Sequence, residues 1–193
     1  MILVTGGTGL VGAHLLYHLM KNDEKVRAIY RTKESIEKVK EVFSFYTDDV
    51  SLISKIDWFK ADITQVPAMI PAFKDVTYVY HCAALISFNP RDYREMRKVN
   101  IHGTAIVVNL SIDAGVKKLC YVSSIAAVGD DPKKPIADEE NEWAGNEKNH
   151  GYAITKYGAE MEVWRASQEG VEVVVVNPGI ILGSGFWNSG SGK

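Results

Sequence analysis

The sequence predicts an α/β protein built on a doubly wound, mostly parallel sheet in the strand order 3-2-1-4-5-6, with helices on both faces. Three observations predict it. Short apolar runs of strand length alternate with helix-patterned segments along the whole chain, the pattern of right-handed crossovers between parallel strands. The first run, Met1-Ile2-Leu3-Val4, passes directly into Thr5-Gly6-Gly7-Thr8-Gly9-Leu10-Val11-Gly12 and then into helical spacing. The polar residues able to do chemistry cluster just after the strands, where ligands bind on such a sheet.

Each element follows from local pattern. Ala13 to Met20 carries apolar residues at helical spacing. Val26-Arg27-Ala28-Ile29-Tyr30 is the second strand, and Glu34 to about Phe45 the second helix. Ile56 to Lys60 is the third strand, ending at Ala61-Asp62-Ile63, and a short helix spans Val66 to Phe73. Val76 to His81 is the fourth strand. Arg91 to Ala114 reads as one long helix closed by Gly115, a residue suited to a C-cap. Lys118 to Val122 is the fifth strand. A polar loop, Gly129 to Gly151, precedes a helix from Tyr152 to about Gln168, and Val171 to Val176 is the sixth strand.

Bulk properties narrow the classes of function. A chain of 193 residues favours a single domain. The formal net charge of -2, with no basic run interleaved with aromatics, argues against a nucleic-acid surface. No apolar stretch reaches membrane-spanning length, and the N-terminus is a strand rather than a signal peptide. The two cysteines, Cys82 and Cys120, stand in apolar runs and read as buried reduced thiols, which places the protein in the cytoplasm. His14 and His18, four apart on a helix, have no acidic residue near them as a metalloprotease helix requires, so no metal is expected.

Strand, glycine turn and helix form the setting of a dinucleotide fingerprint, so the predicted fold is a Rossmann fold. Gly6 permits the tight turn, Gly9 lets the backbone approach a pyrophosphate, and Gly12 lets the helix pack close to the strand. The helix start offers free N–H groups and a positive dipole end to phosphates. Small residues, Cys82-Ala83-Ala84, follow the fourth strand. Ser123-Ser124 follow the fifth, and Tyr152-Ala153-Ile154-Thr155-Lys156 opens the next helix. A tyrosine and a lysine four apart share one helix face and reach one bound molecule. A second such pair, Tyr17 and Lys21, lies more than a turn beyond the glycine loop and reads as surface and packing.

These motifs resemble the extended branch of the short-chain dehydrogenase/reductase family, with the dihydroflavonol reductases the best fit. Thr5 to Gly12 matches its T-G-x-x-G-x-x-G, and Asp62-Ile63 its D-[IVL], which in the family contacts the adenine. His81 to Ala84 matches H-x-A-[AG], and Val99-Asn100-Ile101-His102-Gly103-Thr104 matches V-N-x-x-G-T. Ser123 to Gly129 matches S-S-x-x-x-x-G, Tyr152 to Lys156 matches Y-x-x-x-K, and Asn177-Pro178-Gly179 matches the R-P-G that ends strand six. The resemblance implies a catalytic set of Ser124, Tyr152 and Lys156, with Ser123 the alternative to Ser124 as donor to the substrate oxygen. It implies a cofactor surface of Gly6, Gly7, Thr8, Gly9, Leu10, Val11, Gly12, Asp62, Ile63, Ala83, Ala84, Asn100, Ser123, Tyr152, Lys156, Pro178 and Gly179. Asn100 reads equally as a helix residue satisfying local backbone. Trp143 reads as lining a substrate cleft or covering a core edge.

One position bears on the cofactor from its own chemistry. An acid after the second strand grips the ribose 2′-hydroxyl of NAD. Here Arg31 stands in that place, followed by Lys33, and the first acid is Glu34, so NADP is the expected cofactor and NAD the alternative. Thr8 is neutral where NADP-binding relatives often carry a second basic residue. The expected activity is hydride transfer between nicotinamide and a carbonyl or secondary alcohol. The alternative is a nucleotide-sugar epimerase or dehydratase with tightly held NAD, against which Ala127-Val128-Gly129 counts, since those enzymes commonly read V-Y-G there. A small-molecule substrate is the expected partner, with a homodimer allowed. The resemblance also implies that residues 1–193 are the dinucleotide-binding domain and that the substrate domain lies largely outside this chain.

Overall fold

The computed structural model of the chain describes residues 1–49, 51–129, 136–143 and 150–185. Six parallel strands form one sheet in the order β3-β2-β1-β4-β5-β6, as the sequence predicts. They are β1 (Ile2–Thr5), β2 (Val26–Tyr30), β3 (Asp57–Lys60), β4 (Tyr78–His81), β5 (Lys118–Val122) and β6 (Glu172–Val176). Helices α1 (Leu10–Lys21) and α2 (Glu34–Ser44), with the short turn α3 (Ser51–Ser54), cover one face. The other is covered by α4 (Val66–Met69), α6 (Gly103–Asp113) and α7 (Gly151–Gln168). The chain reverses direction across the sheet between β1 and β4, which opens a crevice at their carboxyl ends. No helix among the described residues is long and apolar enough to cross a membrane.

The two cores divide by strand parity. Leu3, Val79 and Leu119 point toward α6 and α7, whereas Val4 and Ala28 point toward α1 and α2. In α1 the buried positions Gly12, Ala13, Leu16, Tyr17, Leu19 and Met20 form one face. Tyr17 stacks on Tyr46 with ring centroids 4.2 Å apart, so it belongs to this packing. In α7 the inward face is Ala153, Thr155, Lys156, Ala159, Val163 and Ala166. Small residues there bring the helix close to the sheet and bury the lysine between them.

Three local outcomes differ from the sequence reading. The long helical segment begins with a tight turn at Pro90–Asp92 and runs through α5 (Tyr93–Met96). It widens to π-helical geometry over Arg97–His102 and regains α geometry only in α6. Periodicity alone does not register one wide turn within a continuous helix. The segment Val66 to Phe73 is α-helical only to Met69 and tightens into a 3-10 turn at Ile70–Phe73, where Pro71 cannot donate into an α-helical ladder. Finally, α7 starts one residue earlier than the sequence suggests, because the His150 side chain caps it, Nδ1 accepting the Ala153 N–H at 3.2 Å.

At the switch point, Thr5, His81 and Tyr121 are register partners across β1, β4 and β5, and they point to the same face. The His81 ring joins Thr5 Oγ1 at 2.6 Å through Nδ1 and Thr104 Oγ1 at 2.8 Å through Nε2, and it stacks on Tyr121 with centroids 5.4 Å apart. The group is fully buried, and this desolvation, with the nearby Lys156 charge, holds the imidazole neutral down to about pH 3.

Two outcomes are expected for stability. Gly6 and Gly115 share nearly the same left-handed φ, 66° and 64°. A Cβ on Gly115 meets nothing within 4 Å, whereas one on Gly6 comes 2.5 Å from Ala83 N. Gly115→Ala should therefore cost only the conformational penalty, about 1–2 kcal/mol, and Gly6→Ala a further ~1–3 kcal/mol in urea unfolding. For His81, the folded pKa of about 3 lies below the free value of 6.5, so the unfolded chain takes the proton first. Stability should fall as pH drops below about 6.5, approaching ~1.4 kcal/mol per unit between pH 6 and 5. His81→Gln should flatten that slope in denaturation at the two pH values.

Candidate functional site

The crevice is built on the glycine turn. Gly6 adopts its positive φ because the turn doubles back against the Cys82–Ala83 backbone, and a Cβ on Gly12 would lie 2.2 Å from Gly6 O. Gly12 thus packs the helix against the turn itself rather than against the strand. Gly9, exposed at the N-cap of α1, has only Gly6 O within 4 Å of its Cβ position, at 3.3 Å. No side chain caps α1 and no acid stands in its first turn, so the N–H groups of Leu10 and Val11 are left for a ligand. An open backbone cradle at a helix start, lined by Gly7, Thr8 and Gly9, fits a pyrophosphate. Ala83 and Ala84 continue the same rim beyond β4.

Arg31 follows β2 and is exposed, and Asp62 follows β3. Asp62 is itself an acid held low: two hydrogen bonds to Oδ1, from Thr64 N–H at 2.9 Å and Thr64 Oγ1 at 2.7 Å, outweigh its burial, with help from Arg31 and Lys98. Ile63 is buried in the core and packs on Gly103, whose Cβ position lies 2.7 Å from Ile63 Cδ1. Only its backbone is available to an adenine.

Beyond the sheet centre, the two serines separate in role. The Ser123 hydroxyl donates to Glu160 Oε2, a carboxylate that also receives Asn177 Nδ2 at 3.1 Å. Ser124 points the other way: its Oγ caps the short turn Ile125–Ala127 through Ala126 N–H at 3.1 Å and lies close enough to the Tyr152 hydroxyl to act on its ionisation. Burial pushes the Tyr152 phenol up, and Ser124 pulls it back down. Pro178 O accepts Ile125 N–H at 3.0 Å, and a Cβ on Gly179 would lie 3.6 Å from Ile125 Cδ1, so the end of β6 braces this serine turn.

Lys156 is buried, and its Nζ donates to Tyr121 OH at 2.7 Å and to Val122 O at 2.8 Å; neither bond is to Tyr152. Burial pushes its ammonium down to about 7, against the opposing pull of Glu160 and Cys82. Burial likewise pushes the Cys82 thiol up to about 12, which leaves it protonated and inert. Asn100, on the π-helical stretch, is buried with its amide engaged: Oδ1 accepts Leu85 N–H at 2.7 Å, and Nδ2 donates to Leu85 O at 2.9 Å and to Thr155 Oγ1 at 3.0 Å. It therefore fixes the segment after β4 against α7.

Over Tyr152 lies an aromatic rim. His150 is parallel to it at 6.2 Å, and Phe88, 70% exposed, meets both rings edge-on at 5.4 and 6.1 Å. Trp143 stacks on Tyr157 at 4.6 Å and so lies against α7. The sequence reading did not single out Phe88, His150, Glu160 or Tyr121. Of these only Glu160 carried a usable signal, its position one helical turn beyond Lys156. His14 is occupied by Tyr46 OH at 2.6 Å and Ser184 O at 2.9 Å.

Comparison with known proteins agrees with this fold. Residues 4–193 match the model of a family described as "Male sterility protein", an NAD-binding family. A putative dihydroflavonol 4-reductase of Synechocystis sp. is 29% identical over 180 residues, 93% of this chain and 49% of that protein. The anthocyanidin reductase of Arabidopsis thaliana is 30% identical over 193 residues, 94% of this chain and 54% of that protein. The chain spans about half the length of the curated relatives it matches. Among solved structures, the terminal R domain from the myxalamid PKS-NRPS biosynthetic pathway aligns with a TM-score of 0.79 at 30% identity, over 92% of this chain and 48% of that one. Yeast methylglyoxal/isovaleraldehyde reductase, complexed with NADPH, shares the fold with a TM-score of 0.78 at 24% identity, over 97% and 60%. With its sheet order, its glycine turn and these matches, the chain belongs to the extended short-chain dehydrogenases/reductases, in the family described as male sterility protein.

Proposed function

We propose that this chain is the dinucleotide-binding part of an NADP-dependent oxidoreductase that interconverts a carbonyl and a secondary alcohol, with Tyr152 as general acid and base. The observation that carries the reading is the placement of Ser124 beside the Tyr152 hydroxyl at the carboxyl end of β5, with Lys156 on the same helix face. When bound, the nicotinamide supplies or accepts the hydride. Ser124 Oγ holds the substrate oxygen by a hydrogen bond. The Tyr152 hydroxyl gives that oxygen a proton in reduction and takes it back in oxidation. Lys156 uses two of its three N–H donors on Tyr121 and Val122, which leaves the third for a ribose hydroxyl. The relatives named dihydroflavonol 4-reductase and anthocyanidin reductase point the same way.

Arg31 bears on the choice of cofactor. Exposed at the end of β2, beside the Asp62 turn, its guanidinium meets a 2′-phosphate without a competing acid in the position that would bind a 2′-hydroxyl.

The full-length protein, supplied with NADPH and a panel of aldehydes and ketones, should consume NADPH. Retained NAD with no such consumption would instead identify a nucleotide-sugar epimerase or dehydratase. Tyr152→Phe should lower the rate by about a hundred- to ten-thousand-fold with NADPH affinity unchanged, and Tyr17→Phe should leave the rate intact. Titration of both dinucleotides should show NADP preferred by about ten- to a hundred-fold, a preference that Arg31→Ala abolishes. Equal affinities in the wild type would remove Arg31 from the site.

A further inference from the structure

The catalytic pair of the proposed reaction leaves one buried polar feature unused. Lys156 reaches inward to Tyr121, the Thr104 hydroxyl neighbours the Tyr121 hydroxyl, Thr104 is bonded to His81, and His81 is bonded to Thr5 at the edge of the glycine turn. Thr5, His81, Thr104, Tyr121 and Lys156 are each no more than 1% exposed. This is a continuous polar row laid through an apolar core, and its members come from β1, β4, α6, β5 and α7.

The row starts from a fixed donor. An ammonium only donates, so the Tyr121 oxygen accepts from Lys156, and the Thr104 hydroxyl lies on the other side of that oxygen. Thr104 Oγ1 is in turn bonded to His81 Nε2, and His81 Nδ1 to Thr5 Oγ1. No side-chain nitrogen or oxygen buried among the described residues lacks a partner. The row ends at Thr5, which is fully buried, so it leads no proton to solvent. Its consequence is to fix the lysine.

We infer that Tyr121 is a positioning residue for Lys156: its hydroxyl, polarised through Thr104 and His81, holds the lysine head in place and sustains its charge inside the core. The inference rests on the reading of Lys156 as part of the cofactor and catalytic machinery. The Tyr121 ring contributes as well, lying 4.3 Å from Nζ. The other groups acting on the ammonium are the Val122 carbonyl, which accepts a second Nζ–H bond at 2.8 Å, Glu160, one turn along the same helix, which favours its charged form, and Cys82 after β4. Glu160 is itself engaged by Ser123, Asn177 and Trp164, and Cys82 is protonated, so neither replaces a direct acceptor at Nζ.

The test reads the lysine directly. In the full chain labelled with ¹³C-lysine, the Lys156 Cε resonance, assigned by its loss in Lys156→Met, is followed against pH. Tyr121→Phe keeps the ring and its stacking but removes the acceptor. Loss of that charge-assisted bond should lower the Lys156 midpoint, already down to about 7, by about one to two pH units. Thr104→Val, which leaves Tyr121 in place, should lower it by a smaller amount, and Thr104→Ser should restore it. In turnover with NADPH, the limb of the pH–rate profile that belongs to the lysine should move with the resonance. A midpoint that does not move in Tyr121→Phe, or in Thr104→Val should the first variant not fold, overturns the inference. So does a midpoint that moves while the rate limb stays. The resonance is read in the free protein, so an absence of NADPH turnover refutes the oxidoreductase reading separately and leaves the lysine measurement to decide this one.

Discussion

A neutral imidazole clamped between two threonines is the interaction on which the crevice depends. Thr5 and His81 are register partners on the strands that border the switch point, and Thr104 lies on the helix above them. In water three such polar groups would have no reason to meet. In the core each is costly unless paired, so the pairing fixes the spacing of β1, β4 and α6 together. The glycine turn begins one residue after Thr5, and the small residues that back it begin one residue after His81. The position of both rims therefore depends on one buried ring.

Much of this was legible in the sequence, and the limits of that legibility have physical causes. Strand order follows from the alternation of elements and the handedness of crossovers, both local properties. The glycine turn and the Tyr152–Lys156 pair are legible because backbone approach and helix phase need only a few neighbouring residues. Thr5, His81 and Thr104 were visible only as letters in three separate motifs. Their common purpose, a hydrogen-bonded unit, exists only once residues 76 and 23 positions apart are brought together. The division between Ser123 and Ser124 was of the same kind. It is decided by Glu160 and Asn177, which reach Ser123 or its neighbour from α7 and from the residue just after β6. The run of valines at 173–176 reads as a strand, but which side is covered shows only in the fold: Val174 and Val176 are 41% and 43% exposed while Val173 and Val175 pack on the core.

The site also separates two electrostatic tasks. Near the crevice surface Asp62 holds its negative charge through local hydrogen bonds, beside the exposed Arg31. At the centre the single ammonium of Lys156 is sheltered from water and faces oxygens rather than a direct carboxylate partner. A charge so held is sensitive to small changes around it, because little solvent is present to screen them. Asn177, which stands where the resembling family carries an arginine, keeps the Glu160 neighbourhood free of a competing cation while still supplying the amide donor that orients it.

The π-helical stretch Arg97–His102 has a consequence for how such a fold tolerates change. A wide turn holds one residue more than an α-helical turn would in the same rise. Removing a single residue there would close the wide turn into an ordinary α-helical one, leaving α5 and α6 in the same relative orientation while re-aiming the residues of the turn itself. Asn100 would then swing away from Leu85 and Thr155, although every apolar residue of α6 kept its place. The extra residue acts as a spacer. It lets the turn answer to the crevice while the helix on either side answers to the core.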